Sequence, residues 1–218
     1  AKVRQLLAQV EEQKNQLEQR IRQLEIKAEE SKNQLELVLR ELTTIKEALP
    51  FEKIVPELDT TTASIAKATV NGNQISTNKG IYEWHPFFLT RRLEGRMSFE
   101  VEIVSLGSHC ILVGIASDAL RNSAQCYSNA DALTYYLWNG GTCLYSEGKI
   151  ITVTTVAPQD GWRILVTVDR QAGEVEWTQV HPARQSLHRA AIPAGMRNKT
   201  LLPVVHLACH NNNVVRFV

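Results

Sequence analysis

The first 49 residues contain neither glycine nor proline and carry an unbroken apolar repeat of seven residues. Two interleaved sets of positions form this repeat, and the only polar members are Lys14 and Ser31. Such spacing keeps one apolar stripe facing a partner along a supercoiled helix. We therefore predict a helical coiled coil over residues 1–49, roughly 70 Å long at about 1.5 Å per residue.

A single helix would leave this stripe exposed, so we expect it to join copies of the chain, with a dimer as the expected assembly. The alternative is one amphipathic helix packed on the domain behind it, and seven heptads without a break argue against that arrangement. The residues expected to form the interface are Leu7, Val10, Leu17, Ile21, Leu24, Leu35, Val38, Leu42, Ile45 and Leu49.

Charges beside the stripe leave the direction of the helices open. In a parallel dimer Arg20 faces Glu25, which is favourable, whereas Lys27 faces Lys32, which is not. An antiparallel dimer and a four-helix contact therefore remain alternatives. Lys14 within the stripe lowers stability and is the type of residue that specifies register or direction.

After Pro50 the apolar period changes from seven to two. Short alternating or apolar runs follow one another, separated by turn signals such as Asn71-Gly72-Asn73 and Ala172-Gly173. This pattern is typical of an antiparallel β-sandwich. The predicted strands are 97–103, 111–115, 133–138, 150–156, 164–169, 174–180, 202–207 and 214–218.

Composition places the chain in a reducing, aqueous compartment, and we expect it in the cytoplasm. No run approaches the roughly 20 apolar residues of a membrane span, so no membrane partner is expected. Ala1 already lies within the heptads and no secretory leader is visible, so we expect a piece of a longer protein. The four cysteines have irregular spacing, which favours reduced thiols over a disulfide framework.

The net charge of +1 hides an acid-free basic end. Residues 177–218 contain no Asp or Glu but five basic residues. We expect a long loop over 181–200, in which Arg184, Arg189 and Arg197 anchor an acidic or phosphorylated segment. The alternative is a solvated loop neutralised by acids elsewhere in the domain. Nucleic acid is disfavoured, because so few charges without an ordered aromatic ladder make a poor groove.

Five motifs occur in an order that resembles the SPRY family. Residues 93–103, with Gly95-Arg96 before Phe99-Glu100-Val101-Glu102, are similar to the opening of a SPRY domain, and Val113-Gly114-Ile115-Ala116 to the strand paired with it. Residues 169–177 resemble the family's hairpin, 201–205 its late strand and 214–217 its closing strand. Upstream, residues 58–63 and Tyr82-Glu83-Trp84 are similar to the PRY extension.

The resemblance implies a bent antiparallel β-sandwich behind the helix, with loops at one end that bind a protein or peptide. The domains are then a coiled-coil oligomerisation helix at 1–49 and a SPRY-like sandwich at 50–218. Within the latter, 50–92 would be linker and PRY-like segment and 93–218 the SPRY core. A coiled coil followed by SPRY resembles the C-terminal half of tripartite-motif ubiquitin ligases, whose RING and B-box are absent from this sequence.

The residues suggest no catalytic, cofactor-binding or metal-binding site, so we do not expect an enzyme. His206, Cys209 and His210 are the nearest approach to a metal cluster. In a strand, 206 and 210 point to one face and 209 to the other, so the three ligands would not converge. The chain also has no glycine-rich phosphate loop and no nucleophile elbow.

Aromatic residues divide into an expected core and expected contacts. Phe99, Trp138, Trp162 and Trp177 lie in strand-like runs and are predicted to pack in the core. Exposed aromatics near an arginine concentrate binding energy in protein interfaces. The residues predicted to contact a partner in this way are Trp84, Arg121, Tyr127 and Tyr145.

The sequence therefore predicts a non-catalytic scaffold or adaptor, in which a coiled coil joins SPRY domains that bind a protein through their loops. One alternative is the substrate-recognition half of a ubiquitin ligase, which a RING elsewhere in the full protein would favour. Another is a structural role in cytoskeletal or ciliary assembly, which saturable binding to a lattice would favour.

Overall fold

The computed structural model describes residues 2–48, 50–77, 83–107, 111–124, 128–138, 140–154, 156–208 and 212–218. The chain divides into two compact units, 1–50 and 51–218. The first holds one long helix, and the second holds the strands.

Helix α1 spans Lys2–Ala48, so the predicted helix is confirmed. It ends at Ala48, two residues before Pro50, and helices usually end at or before the residue that precedes a proline. The apolar stripe is exposed on α1: Leu24 is 66% exposed, and Val38, the least exposed of its large apolar members whose side chains are described, is 49% exposed. Pairing of this stripe with a second helix stays a prediction.

The second unit is built almost entirely from strands. They are β1 (Glu52–Lys53), β2 (Ala68–Asn71), β3 (Gln74–Thr77), β4 (Trp84–Phe88), β5 (Arg96–Ser105), β6 (Ile111–Ser117), β7 (Ala132–Trp138), β8 (Gly141–Ser146), β9 (Lys149–Thr154), β10 (Arg163–Asp169), β11 (Glu174–His181), β12 (Gln185–Ala191), β13 (Leu201–Ala208) and β14 (Val214–Phe217).

Within the described residues these strands form two sheets. The first has the order β12-β11-β10-β5-β14-β3-β2, with the short β1 paired in parallel to β5. The second has the order β4-β13-β6-β7-β8-β9 and is antiparallel throughout. The predicted antiparallel sandwich is confirmed.

The core lies between the two sheets, because each strand turns every second side chain inward. Trp177 of the first sheet is fully buried and donates from Nε1 to the Val113 carbonyl of the second sheet, at 2.9 Å. The Tyr135 ring stacks on Trp177 with ring centroids 5.9 Å apart. These contacts fix the distance between the sheets at their centre.

Of the aromatics predicted for the core, Phe99, Trp162 and Trp177 are buried as expected. The prediction for Trp138 is wrong: its side chain is only partly buried. It lies on the same strand as the buried Tyr135, at an odd spacing of three residues, so it points to the opposite, outer face of the second sheet.

The long loop predicted over 181–200 is also wrong. Seven of its residues form β12, an edge strand whose register pairs Arg189 with Glu176 of β11. The segment Gln185–Ala191 is largely exposed and lacks clear alternation, which is why sequence pattern did not reveal it.

The described residues contain one cysteine, Cys143, which is buried and free. Cys110, Cys126 and Cys209 lie outside the described residues. In the described ranges, no helix combines the length and apolar character needed to cross a bilayer.

Candidate partner-binding surface

Four aromatic side chains lie together on the outer face of the second sheet. We call this group the aromatic surface; it consists of Trp84 on β4, Tyr136 and Trp138 on β7, and Tyr145 on β8. Tyr136 is central: its ring centroid lies 5.9 Å from Trp84, 5.1 Å from Trp138 and 5.8 Å from Tyr145. All four side chains are partly buried, so each retains surface that a partner could cover.

Strand alternation and register bring these rings together. On β7, Tyr135 points into the core while Tyr136 and Trp138 point outward. The register places Tyr136 beside Leu112 of β6 and Cys143 of β8, both buried. These buried neighbours form the floor on which the rings of the aromatic surface rest.

Gly140 leaves room for the Trp138 ring beside this surface. A Cβ atom on Gly140 would lie 2.4 Å from Nε1 of Trp138, closer than any real contact. With no side chain at residue 140, the Trp138 ring lies close to Gly140 while it stacks on Tyr136.

The floor of the aromatic surface is uncharged at neutral pH. His206 pairs with Leu112 in the sheet register and is fully buried, and this burial lowers its pKa from 6.5 to about 3. Burial likewise raises the pKa of the Cys143 thiol to about 11. Binding on this face therefore does not require stripping water from an ion in the floor.

Two of the predicted contact residues, Trp84 and Tyr145, thus meet in one place through Tyr136. Tyr127, the third predicted aromatic contact, lies outside the described residues, as do Cys209 and His210. Both described contacts lie in strands rather than in loops.

Arg121 is not part of the aromatic surface. It follows a short 3-10 turn after β6 and forms an ion pair with the carboxylate of Asp59, whose side chain is almost fully buried. The same carboxylate accepts hydrogen bonds from the backbone N–H and the hydroxyl of Thr61, at 3.0 and 2.6 Å. The contacts of Arg121 therefore join two segments of the sandwich.

The three arginines predicted to form one anion site are separated in the structure. Arg184 immediately precedes β12. Arg197 lies against Gly173, next to the opposite end of β12, which places the two roughly 20 Å apart for a seven-residue strand. Arg189 forms ion pairs with Glu174 at 3.9 Å and Glu176 at 3.2 Å. Acids on β11 thus supply the counter-charge for Arg189.

The predicted oligomerisation residues are exposed on α1 wherever their side chains are described. Residue 49 and the side chains at positions 10 and 45 lie outside the part of the chain that the structure describes. The exposed members are Leu7, Leu17, Ile21, Leu24, Leu35, Val38 and Leu42.

Sequence reasoning missed Tyr136 and assigned Trp138 to the core. A signal was available in the run Leu133 to Trp138, whose alternation puts Leu133, Tyr135 and Leu137 on one face. The other face then carries both missed aromatics. The described residues contain no group of three His, Cys, Asp or Glu side chains placed to hold a metal ion.

The sandwich is similar to solved SPRY structures. The TRIM65 PSpry domain aligns with a TM-score of 0.63 at 11% identity, covering 77% of this chain and 93% of that chain. The SPRY domain of human HERC1 aligns with a TM-score of 0.55 at 16% identity, covering 74% and 96%. Stonustoxin aligns with a TM-score of 0.61 at 16% identity, covering 76% of this chain and 29% of the toxin chain.

These alignments give the second unit a SPRY-like fold, as the sequence motifs predicted. No protein-family model matches the sequence, and no curated protein matches it. At these identities the likeness describes the fold and leaves the binding function to be argued from the residues.

Proposed function

We propose that this chain is a non-catalytic protein-interaction molecule, whose SPRY-like sandwich binds a protein or peptide and whose helix joins two copies. The observation that carries the proposal is the aromatic surface, where Trp84, Tyr136, Trp138 and Tyr145 lie together, partly exposed, over an uncharged floor.

Aromatic groups of this kind are suited to protein recognition. Trp and Tyr carry large apolar area with a polar tip and lose little conformational freedom on binding, which is why they dominate interface energetics. The mutual packing of the four rings holds them in place before a partner arrives. The entropic cost of ordering them is therefore already met in the free protein.

The exposed apolar residues of α1 support the proposal that the helix joins two copies of the chain. Leu17, Ile21 and Leu24 are each more than half exposed on α1, in a repeat suited to a two-helix interface. Two sandwiches joined in this way bind a repetitive partner with an avidity that exceeds the single-site affinity by about 10²–10⁴, provided both can reach it. Each single contact can then be weak and reversible.

The test is affinity capture by the full chain, compared with the single variants Trp84→Ala and Tyr145→Ala. We expect one dominant protein to bind the wild-type chain and each variant to weaken its measured Kd by about tenfold, the effect of losing a well-placed interface aromatic. The matched control is Val55→Ala, which truncates a side chain that is 85% exposed and lies outside the aromatic surface.

A partner that binds both aromatic variants as tightly as the wild type would refute the aromatic surface as the binding site. Circular dichroism and thermal unfolding of each variant identify any loss that comes from misfolding. A partner that binds the full chain but does not bind residues 50–218 alone would instead assign the function to the helix.

A further inference from the structure

A second, chemically different site lies at the opposite end of β13 from the aromatic surface. Trp84 pairs with Ala208 at one end of this strand, whereas Leu201 at the other end lines a small cleft of about 220 Å³. We call it the basic cleft; the residues that matter for its chemistry are Arg92, Glu94, Arg170, Asn198, Lys199 and Thr200.

Backbone hydrogen bonds fix the walls of the basic cleft. The Leu93 N–H donates to the Leu201 carbonyl at 2.9 Å, which ties the segment before β5 to the start of β13. The Arg170 N–H donates to the Gly95 carbonyl at 2.8 Å, which ties the β10–β11 turn to the same segment. Three separate parts of the sandwich therefore converge on one place in a fixed arrangement.

The cleft contains more positive than negative charge. Among the described residues, Arg92 is exposed and makes no ion pair or hydrogen bond. Arg170 donates from Nη2 to the carbonyls of Arg197 and Lys199, at 2.7 and 2.9 Å, so its partners are neutral. Lys199 is paired with Asp131 at 2.6 Å. Glu94 is the one acidic side chain among the lining residues.

Arg170 is the partly buried cation of the cleft, and it has no acidic partner among the described residues. Its Nη1 is buried and, among the described atoms, has no hydrogen-bond partner. Burial also lowers the pKa of this guanidinium, which reports the cost of holding its charge away from water. A negative group in the cleft would offset that cost, because a buried cation without a counter-charge is unfavourable.

Neutral donors complete the site. The Asn198 amide and the Thr200 hydroxyl both line the cleft, and neither makes a hydrogen bond to another described residue. The Arg92 guanidinium, the Asn198 amide and the Thr200 hydroxyl can donate to several oxygen atoms of one compact anion, while Arg170 and Lys199 add positive charge beside them. A phosphate monoester, with about −1.5 to −2 charges and three acceptor oxygens, matches that set better than a carboxylate does.

We propose that the basic cleft binds the phosphate group of a phosphorylated serine or threonine on a partner protein. The proposal rests on the proposed function only in assigning the phosphate to a protein partner. Its residues differ from the aromatic surface, and a small phosphate compound suffices to test it.

The experiment titrates the full chain, at constant ionic strength, with N-acetyl phosphoserine methylamide and with inorganic phosphate, and follows binding by calorimetry and by NMR of arginine Nε–H groups. The serine analogue of the first compound measures binding of the peptide backbone without a phosphate. The glutamate analogue measures binding of a carboxylate in place of the phosphate. We expect the phosphoserine compound to bind at least about tenfold more tightly than the glutamate compound, because charge-assisted bonds to three oxygens replace those to two.

Matched variants locate the binding. Arg92→Gln removes a cation that makes no ion pair or hydrogen bond to a described residue, and it is expected to weaken phosphoserine binding by about tenfold. Arg184→Gln changes the overall charge equally, at another exposed arginine without a described ion pair, and is expected to change the Kd by less than about twofold. Glu94→Gln removes the acid in the cleft and is expected to tighten binding by about threefold or more, a gain that misfolding cannot imitate.

Equal losses in Arg92→Gln and Arg184→Gln would overturn the proposal, because binding would then be diffuse attraction to a basic surface. Equal affinity for the glutamate and phosphoserine compounds would overturn the assignment to phosphate. Trp84→Ala is expected to leave phosphoserine binding unchanged, so failure of the aromatic surface and failure of the basic cleft are separate results.

Discussion

Two buried or partly buried ionisable side chains have environments from which changes in stability can be predicted. His206 is one, because it is fully buried and therefore neutral in the folded protein far below the pH at which a free histidine gains a proton. Arg121 is another, because it pairs with a carboxylate that has almost no access to water.

His206 predicts a loss of stability in acid. Its pKa is about 3 in the folded protein and 6.5 in its ordinary state, so between these values the unfolded chain binds a proton that the folded chain does not. The stability contributed by the neutral ring is complete above pH 6.5 and falls as the pH drops towards 3, by about 1.4 kcal/mol per pH unit.

The measurement is urea unfolding of the wild type and His206→Gln at pH 6.5, 5.5 and 4.5. The free energy of unfolding of the wild type should fall relative to that of the variant by about 1.4 kcal/mol for each unit of pH. If the two proteins lose stability in parallel over this range, the ring gains its proton without unfolding and the argument from burial is wrong.

Arg121→Ala is expected to destabilise the sandwich rather than only to affect a partner. Among the described residues, it leaves the buried carboxylate of Asp59 with only the hydrogen-bond donors of Thr61. We expect a loss of about 1–3 kcal/mol in the free energy of unfolding, below the value for a fully buried pair because Arg121 itself is one-third exposed.

Urea denaturation measures this loss, with Arg184→Ala as the control for removing an exposed arginine. The control should stay within about 0.5 kcal/mol of the wild type. A similar small change for Arg121→Ala would mean that the ion pair adds nothing to stability and that this arginine is available for a partner, as the sequence suggested.

Residue-level prediction from sequence was partly successful at the candidate site. Trp84 and Tyr145 were selected because exposed aromatics bind proteins, and they do lie in one group. Tyr136 and Trp138 were not selected, because alternation identifies two faces of a strand without showing which face is the core. In the second sheet both faces are largely apolar, so the pattern alone was ambiguous.

At the level of elements, the close approach of β6 and β7 depends on one glycine. A Cβ atom on Gly114 would lie 2.2 Å from the Leu133 carbonyl oxygen and 2.8 Å from the Thr134 Cα, both backbone atoms. Gly114→Ala is therefore expected to cost more than about 3 kcal/mol of stability or to prevent folding, because two central strands must separate.

Gly195→Ala is the matched control, since a Cβ atom there would have no neighbour within 4 Å. It should stay within about 0.5 kcal/mol of the wild type in thermal or urea unfolding. Comparable stability of the two variants would show that β6 and β7 can move apart at little cost.

The strands that sequence predicted and those it missed differ in position within the sheets. Central strands such as β5 and β10 have regular alternation, because one face must fill the core, and they were predicted. The edge strand β12 is held mainly by backbone pairing with β11, and its exposed side chains follow no period. Backbone pairing of this kind leaves little trace in the sequence.

For the whole molecule, the exposed stripe of α1 predicts self-association. Leu17→Glu combined with Leu24→Glu places charges in the seam and should convert a two-chain species into a single chain of 24.5 kDa, with a loss of helical circular dichroism. An isolated helix without a buried face has little stability in water, which is why both signals should change together.

Sedimentation equilibrium gives the mass of each species. Gln16→Glu combined with Gln23→Glu adds the same charge outside the seam and should remain associated. A seam variant that keeps the mass of the wild type would show that the stripe is not the site of association.

The position of β14 between β5 and β3 also has a consequence for the newborn chain. The β2–β3 hairpin leaves the ribosome long before the strand that attaches it to the rest of its sheet. At roughly 5–20 residues per second, it waits on the order of ten seconds with an unpaired edge. During that interval chaperones and neighbouring nascent chains can bind the hairpin. The rate of translation between β3 and β14 therefore sets how long the unpaired edge of β3 is exposed.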